Sequence, residues 1–170
     1  MGLPRYWKCR FCGEEHDTPP LCFGADAPSL WHLLSTKELA DSQLDKSWCY
    51  INAKHEQAFF VRGHIDILIL GTDEAFTWSV WASLSEKKFA RKMELWNSDG
   101  RENEPPYFGW LCSSIEVFPD TMYLKTSIQE RAGDAVPLVT VEPTDHPLAV
   151  AQHGGVTMET VTHWLEQLLH

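Results

Sequence analysis

The chain has 170 residues, with twenty-four acidic against fourteen basic side chains and a net charge of −10. That balance repels phosphate backbones and anionic bilayers, which argues against nucleic acid and membrane surfaces as partners. Apolar runs such as Ile67 to Leu70 are strand-sized, far short of the roughly eighteen residues that mark a spanning helix. Met1 to Lys8 holds no apolar leader core, so the expectation is a soluble, cytoplasmic protein. The length suits a single domain over residues 1–170 that buries a core of its own.

In chain order, Tyr6 to Phe11 and Glu14 to His16 read as a short hairpin closed by Thr18-Pro19-Pro20. Leu30, Trp31, Leu33 and Leu34 after Pro28 suggest a helical segment, with Glu38, Leu39 and Asp41 continuing it or starting a second turn. Ser47 to Ile51 and Ala58 to Ile69 are rich in aromatic and β-branched residues and flank a loop at Asn52 to Glu56, which predicts a strand pair. Gly63 is expected to mark a bulge in the second of these strands. Phe76 to Leu84 alternates so that Phe76, Trp78, Val80, Ala82 and Leu84 share a face. Ser85 then caps a helix with Phe89, Met93 and Trp96 on one side, ending at Asp99-Gly100. Tyr107 to Ile115, Met122 to Gln129 and Leu138 to Val141 read as strands. A short helical segment is expected at Leu148 to Gln152, and Thr157 caps a last helix with Val161, Trp164, Leu165, Leu168 and Leu169 as its stripe. Strands and helices that do not alternate strictly predict an α+β fold: a largely antiparallel sheet packed by two or three helices, with an N-terminal zinc-knuckle-like hairpin.

That hairpin carries the sharpest chemical signal, Cys9-Arg10-Phe11-Cys12-Gly13-Glu14-Glu15-His16. Two thiolates three positions apart can grip one cation from a tight turn, and Gly13 frees the backbone to fold around the sulfurs. A redox pair would sit at a helix N-terminus, yet Gly13 to Asp17 followed by two prolines is a poor helix. A disulfide framework fits badly with five cysteines, an odd number, and with no secretory leader. Zinc is therefore the expected cofactor. Cys9 and Cys12 supply half of its shell, and His16, Cys22, Cys49 and His64 compete for the rest.

Five motifs, in order, carry a family resemblance: Cys-x-x-Cys-Gly-x-x-His, Phe59 to Gly63, Trp78 to Ser85, Pro105 to Leu111, and Glu142 to Ala149. Together they resemble DUF2199, a bacterial domain family of unknown function, along nearly the whole chain. The resemblance implies a small single-domain bacterial protein and brings no activity with it. It also favours Cys49 as a zinc ligand, since a cysteine resembles that position in the family. The position of Cys22 looks serine-like, and that of His64 resembles a site where cysteine occurs. A hairpin centred near residues 52–57 could bring Cys49 opposite His64. The expected metal set is Cys9, Cys12, His16 and Cys49, with His64 competing for the place of His16. Cys112 reads as a small buried hydrophobe.

Two further features bear on function. Asp145-His146, in a proline-bounded loop, is raw material for general base catalysis, but the stronger reading is that Asp145 caps the helix that Pro147 begins. Trp78, Trp81 and Trp110, with Tyr107 and Phe108, would anchor a protein or a small ligand if exposed and are core if buried. The functional expectation is a zinc-stabilised bacterial binding protein, of accessory or immunity type, whose acidic charge speeds encounter with a basic target. The alternative is a small hydrolase or transferase that uses Asp145 and His146 or an open zinc position.

Overall fold

The computed structural model describes residues 7–8, 15–16 and 20–169, the first four by their backbone. Strands β1 (Trp7–Lys8) and β2 (Glu15–His16) pair antiparallel, Trp7 opposite His16. There follow β3 (Cys22–Gly24), a 3-10 turn (Ser29–Leu33), α1 (Thr36–Ala40), β4 (Gln43–Leu44), β5 (Trp48–Ala53), β6 (Glu56–Leu68), β7 (Ala75–Leu84) and α2 (Glu86–Glu94). The chain ends with β8 (Tyr107–Leu111), β9 (Lys125–Gln129), β10 (Leu138–Val141), α3 (Pro147–Gly154) and α4 (Met158–Leu168).

The mixed α+β class agrees with the expectation, but the sheet is not a plain antiparallel one. Strands β6, β7, β8, β9 and β10 pair in succession, and β10 returns to β6 in parallel at Leu138 opposite His64, closing a five-stranded barrel. Closure follows from strand length. Residues 56 to 68 of β6 are too many for one neighbour, so from Phe59 onward β6 gives one edge to β7 and divides the other. Up to Val61 that second edge pairs with β5, and beyond it with β10. The closed ring leaves fewer bare edges than an open sheet would.

Gly63 lies at this division. The register between β6 and β7 runs unbroken from Phe59 opposite Leu84 to Leu68 opposite Ala75, so the expected bulge is absent. Gly63 is needed for close approach instead. A Cβ there would lie 2.4 Å from Val139 Cγ2 and 3.1 Å from the Pro137 carbonyl.

One face of the barrel strands gathers Val61, Ile65, Ile67, Phe76, Trp78, Val80, Ala82, Leu111, Ile128, Val139 and Val141. Leu148, Ala149 and Ala151 of α3 and Val161, Trp164 and Leu165 of α4 pack into the same cluster. The predicted face of β7 is thus the one that enters the main core. Its other face is buried too. Trp81 joins Cys49, Ile51, Phe60 and Cys112 in a second cluster, covered by Leu30, Trp31 and Leu34 of the 3-10 turn and its exit. Each large side chain fully buried this way contributes about 1.5–3 kcal/mol of hydrophobic stabilisation.

Helices α2 and α4 begin where their caps predict. Ser85 Oγ accepts the Lys88 N–H, and Phe89 packs against Trp48 and Phe59. Thr157 Oγ1 accepts the Thr160 N–H at the start of α4, whereas Leu169 leaves the predicted stripe and is exposed.

Two strands are shorter than their patterns. After Leu111 the Ser113 hydroxyl accepts the Trp81 N–H, and Thr121 Oγ1 bonds to both the Ser113 carbonyl and the Ile115 N–H, so side chains replace the ladder. Tyr123 has φ +64°, a left-handed conformation unusual for a bulky residue, and it delays β9 to Lys125.

Candidate functional site

Cys9 and Cys12 lie outside the described residues, and of His16 only the strand backbone is described. Cys49, the firmest of the remaining zinc candidates, lies on β5. It is fully buried between Ile51, Phe60, Trp81 and Cys112, and burial, with the neighbouring Cys112, pushes its thiol up to about 12. A bound zinc ion would draw that proton off, so the raised value belongs to the metal-free thiol. His64 is not its cross-strand partner: Cys49 stands opposite Phe60, while His64 lies four residues along, beside Leu138 and Ser79. The hairpin centre at Lys54-His55 fixes that register. Cys22 is exposed on β3, opposite Thr77. Among the described residues no group of three or more His, Cys, Asp or Glu side chains is placed to hold a metal ion.

The imidazole of the Asp145-His146 pair is bound by backbone groups. His146, not Asp145, is the N-cap of α3: its Nδ1 accepts the Leu148 N–H at 3.1 Å. That bond leaves the ring proton on Nε2, which donates to the Asp120 carbonyl at 2.9 Å. Both ring nitrogens are therefore engaged by the backbone, and Asp145 orients neither. Cap residues with a short acceptor are common before proline at the first helical position.

The tryptophans divide between core and surface. Trp78 and Trp81 are buried, so the expectation that they form a binding surface gives way to packing. Trp78 contacts Phe23, Phe76, Phe118 and Trp164, while Trp81 Nε1 donates to the Ala25 carbonyl. Trp110 is 42% exposed and Phe108 53% exposed, on the outer face of β8. Alternation along the strand places them there, since Tyr107, Gly109 and Leu111 face inward. The two rings meet edge to face with centroids 5.1 Å apart. Opposite them on β9 stand Ser127 and Lys125. Tyr123, 57% exposed, adjoins this face through its N–H to the Leu111 carbonyl.

A second feature had no place in the sequence reading. Where β6 changes partner, the Arg62 N–H bonds to the Ser47 carbonyl and the His64 N–H to the Pro137 carbonyl, so β5 and β10 diverge. A cavity of about 290 Å³ opens in that gap, lined by Ser47, Arg62, Lys92, Trp96, Asn97, Arg101, Glu130 and residues 134–137. Lys92 Nζ meets Glu130 Oε1 at 2.5 Å, with the two side chains only 6% and 7% exposed. Burial pulls the Lys92 ammonium below its ordinary pKa, against the opposing pull of Glu130. Arg101 Nε lies 3.8 Å from Glu130 Oε2, and its guanidinium donates to the carbonyls of Trp96, Arg131 and Gly133. Arg62 Nε donates to Ser79 Oγ at 2.6 Å. The sequence did hold one signal for this site: Lys92 lies three residues after Phe89 and four before Trp96, a cation on the apolar side of α2.

Among the described residues, no helix is long and apolar enough to cross a membrane. No curated protein and no solved structure matches the chain. Residues 8–156 match the family described as an uncharacterized protein conserved in bacteria, DUF2199, and the chain belongs to that family.

Proposed function

We propose that this protein is a non-catalytic binding protein of the bacterial cytoplasm that docks a basic protein partner on the outer face of β8 and β9. The observation that carries the reading is the exposed Phe108–Trp110 pair. Aromatic side chains held rigidly at a surface are the residue types that dominate binding energy. Lys125 stands across from Trp110, and acidic residues occur in the segments that adjoin β9. Asp120 accepts the Met122 N–H just before Tyr123, and Glu142 bonds through its N–H to the Lys125 carbonyl. With a chain charge of −10, these favour a basic partner and a fast encounter. The engagement of both His146 nitrogens supports binding over the hydrolase or transferase alternative.

Within the same reading, Cys9, Cys12, His16 and Cys49 would hold a structural zinc that ties the N-terminal hairpin to β5. Such a metal would supply folding energy to the hairpin rather than chemistry. Metal analysis of untagged protein tests it: Cys9→Ser and Cys49→Ser should lower zinc content alike, and Cys22→Ser should leave it nearly unchanged.

A photo-crosslinking residue at position 110, compared with one at Leu33, which is 78% exposed but lies elsewhere, tests the docking face. The expected result in bacterial cells is one dominant adduct at position 110, of basic isoelectric point and weakened by salt. Equal adduct patterns at the two positions would overturn it.

A further inference from the structure

We infer that the cavity between β5 and β10 is a binding site for a small monocarboxylate, distinct from the docking face proposed above. Arg62, Lys92 and Arg101 line it against Glu130 and Asp134, so three cations face two carboxylates in a chain that is otherwise strongly acidic. The excess of one positive charge matches a single negative charge on the ligand, whereas a phosphate dianion would leave repulsion uncompensated.

The cations are set in place beforehand. Arg101 is held by three backbone carbonyls, and Arg62 by Ser79 Oγ and, at 3.4 Å, by the Lys46 carbonyl. Arg62 Nη2 has no partner among the described residues, which leaves donors for a carboxylate. The Lys92–Glu130 pair is a poor device for stability alone, because burying both charges costs about as much as their attraction returns. At the base of an open cavity such a pair is what a ligand site retains. Trp96 supplies an apolar wall: its ring lies 5.4 Å from Lys92 Nζ. The volume, about 290 Å³, stands at the lower end of the ~300–1,000 Å³ typical of ligand pockets and limits the guest to a small acid.

The test is an NMR titration of the full chain with acetate, benzoate and inorganic phosphate at constant ionic strength. It is read at the Trp96 indole N–H, identified by its loss in Trp96→Phe. Acetate and benzoate should shift this resonance saturably, and phosphate should not. Arg62→Gln should weaken benzoate binding about tenfold, the scale of one charge-assisted hydrogen bond, with partial recovery in Arg62→Lys. Asp134→Asn, at an exposed position that leaves the Arg62 bonds intact, should tighten it roughly threefold. Saturable binding of phosphate but of neither carboxylate would overturn the inference, as would no saturable shift with any probe. Unchanged affinity in Asp134→Asn, or in an Arg62→Gln protein of native melting temperature, would do the same.

Discussion

The Lys92–Glu130 pair gives the most quantitative handle on the barrel's open gap. Lys92→Met keeps the length of the side chain and its contact with Trp96 but leaves Glu130 in a site where its side chain is 7% exposed. Breaking one partner out of a buried ion pair costs about 3–5 kcal/mol, mostly from the charge left behind. Arg101, 3.8 Å from the other carboxylate oxygen, offsets part of that, so a loss of about 3 kcal/mol is expected. For a chain of this size each kcal/mol moves the melting temperature by about 2–4 °C, so the single variant should melt roughly 6–12 °C lower. Lys92→Met combined with Glu130→Met removes both charges and should return to within about 1 kcal/mol of the parent. Urea denaturation followed by tryptophan fluorescence measures both. A single variant within about 1 kcal/mol of the parent, or a double variant much weaker than the single, would refute the account of a buried, mutually dependent pair.

Gly63→Ala should cost about 1–3 kcal/mol in the same assay, because the added methyl meets Val139 where β10 closes on β6. His146→Ala should cost about 1 kcal/mol through the lost α3 cap while leaving zinc content unchanged. His64 sets a pH dependence. Burial, aided by Arg131 and Arg62 and opposed by Asp66, lowers its pKa from 6.5, so the unfolded chain takes up a proton before the native one does. Its stabilisation is complete above 6.5 and is lost as pH falls from there toward the folded value. Urea midpoints of the parent should therefore decline more steeply with acidification than those of His64→Gln, and parallel curves would refute this.

Local signals in the sequence located most elements, because they act within a few residues. The alternation of Phe76 to Leu84, the Ser85 cap and the Thr157 cap each specify a strand or helix start without reference to the rest of the chain. Barrel closure was not legible in this way. It rests on a parallel contact between Leu138 and His64, residues far apart in sequence, and on a missing side chain at Gly63 that reads equally well as a bulge. Strand β3 is three residues long and carries no period.

The site was legible to a similar degree. Trp110 sits on the exposed half of an alternating strand, but Trp78 and Trp81 point to opposite faces of a strand that is buried on both. Asp145-His146 could be read as a catalytic pair or as a helix cap, because adjacency in sequence says nothing about which backbone groups each ring nitrogen meets. Glu130 gave no signal, since its role depends on a lysine 38 residues earlier.

The docking face is tested most directly by a photo-crosslinker at Ser127, the exposed residue across from Phe108, placed in the parent and in a Phe108→Ser/Trp110→Ser double variant. About half of each side chain is buried, so the double variant should melt lower than the parent and is compared at a temperature where it is fully folded. The account predicts a dominant basic adduct in the parent that disappears in the folded double variant. The same adduct at the same yield in both proteins would contradict it.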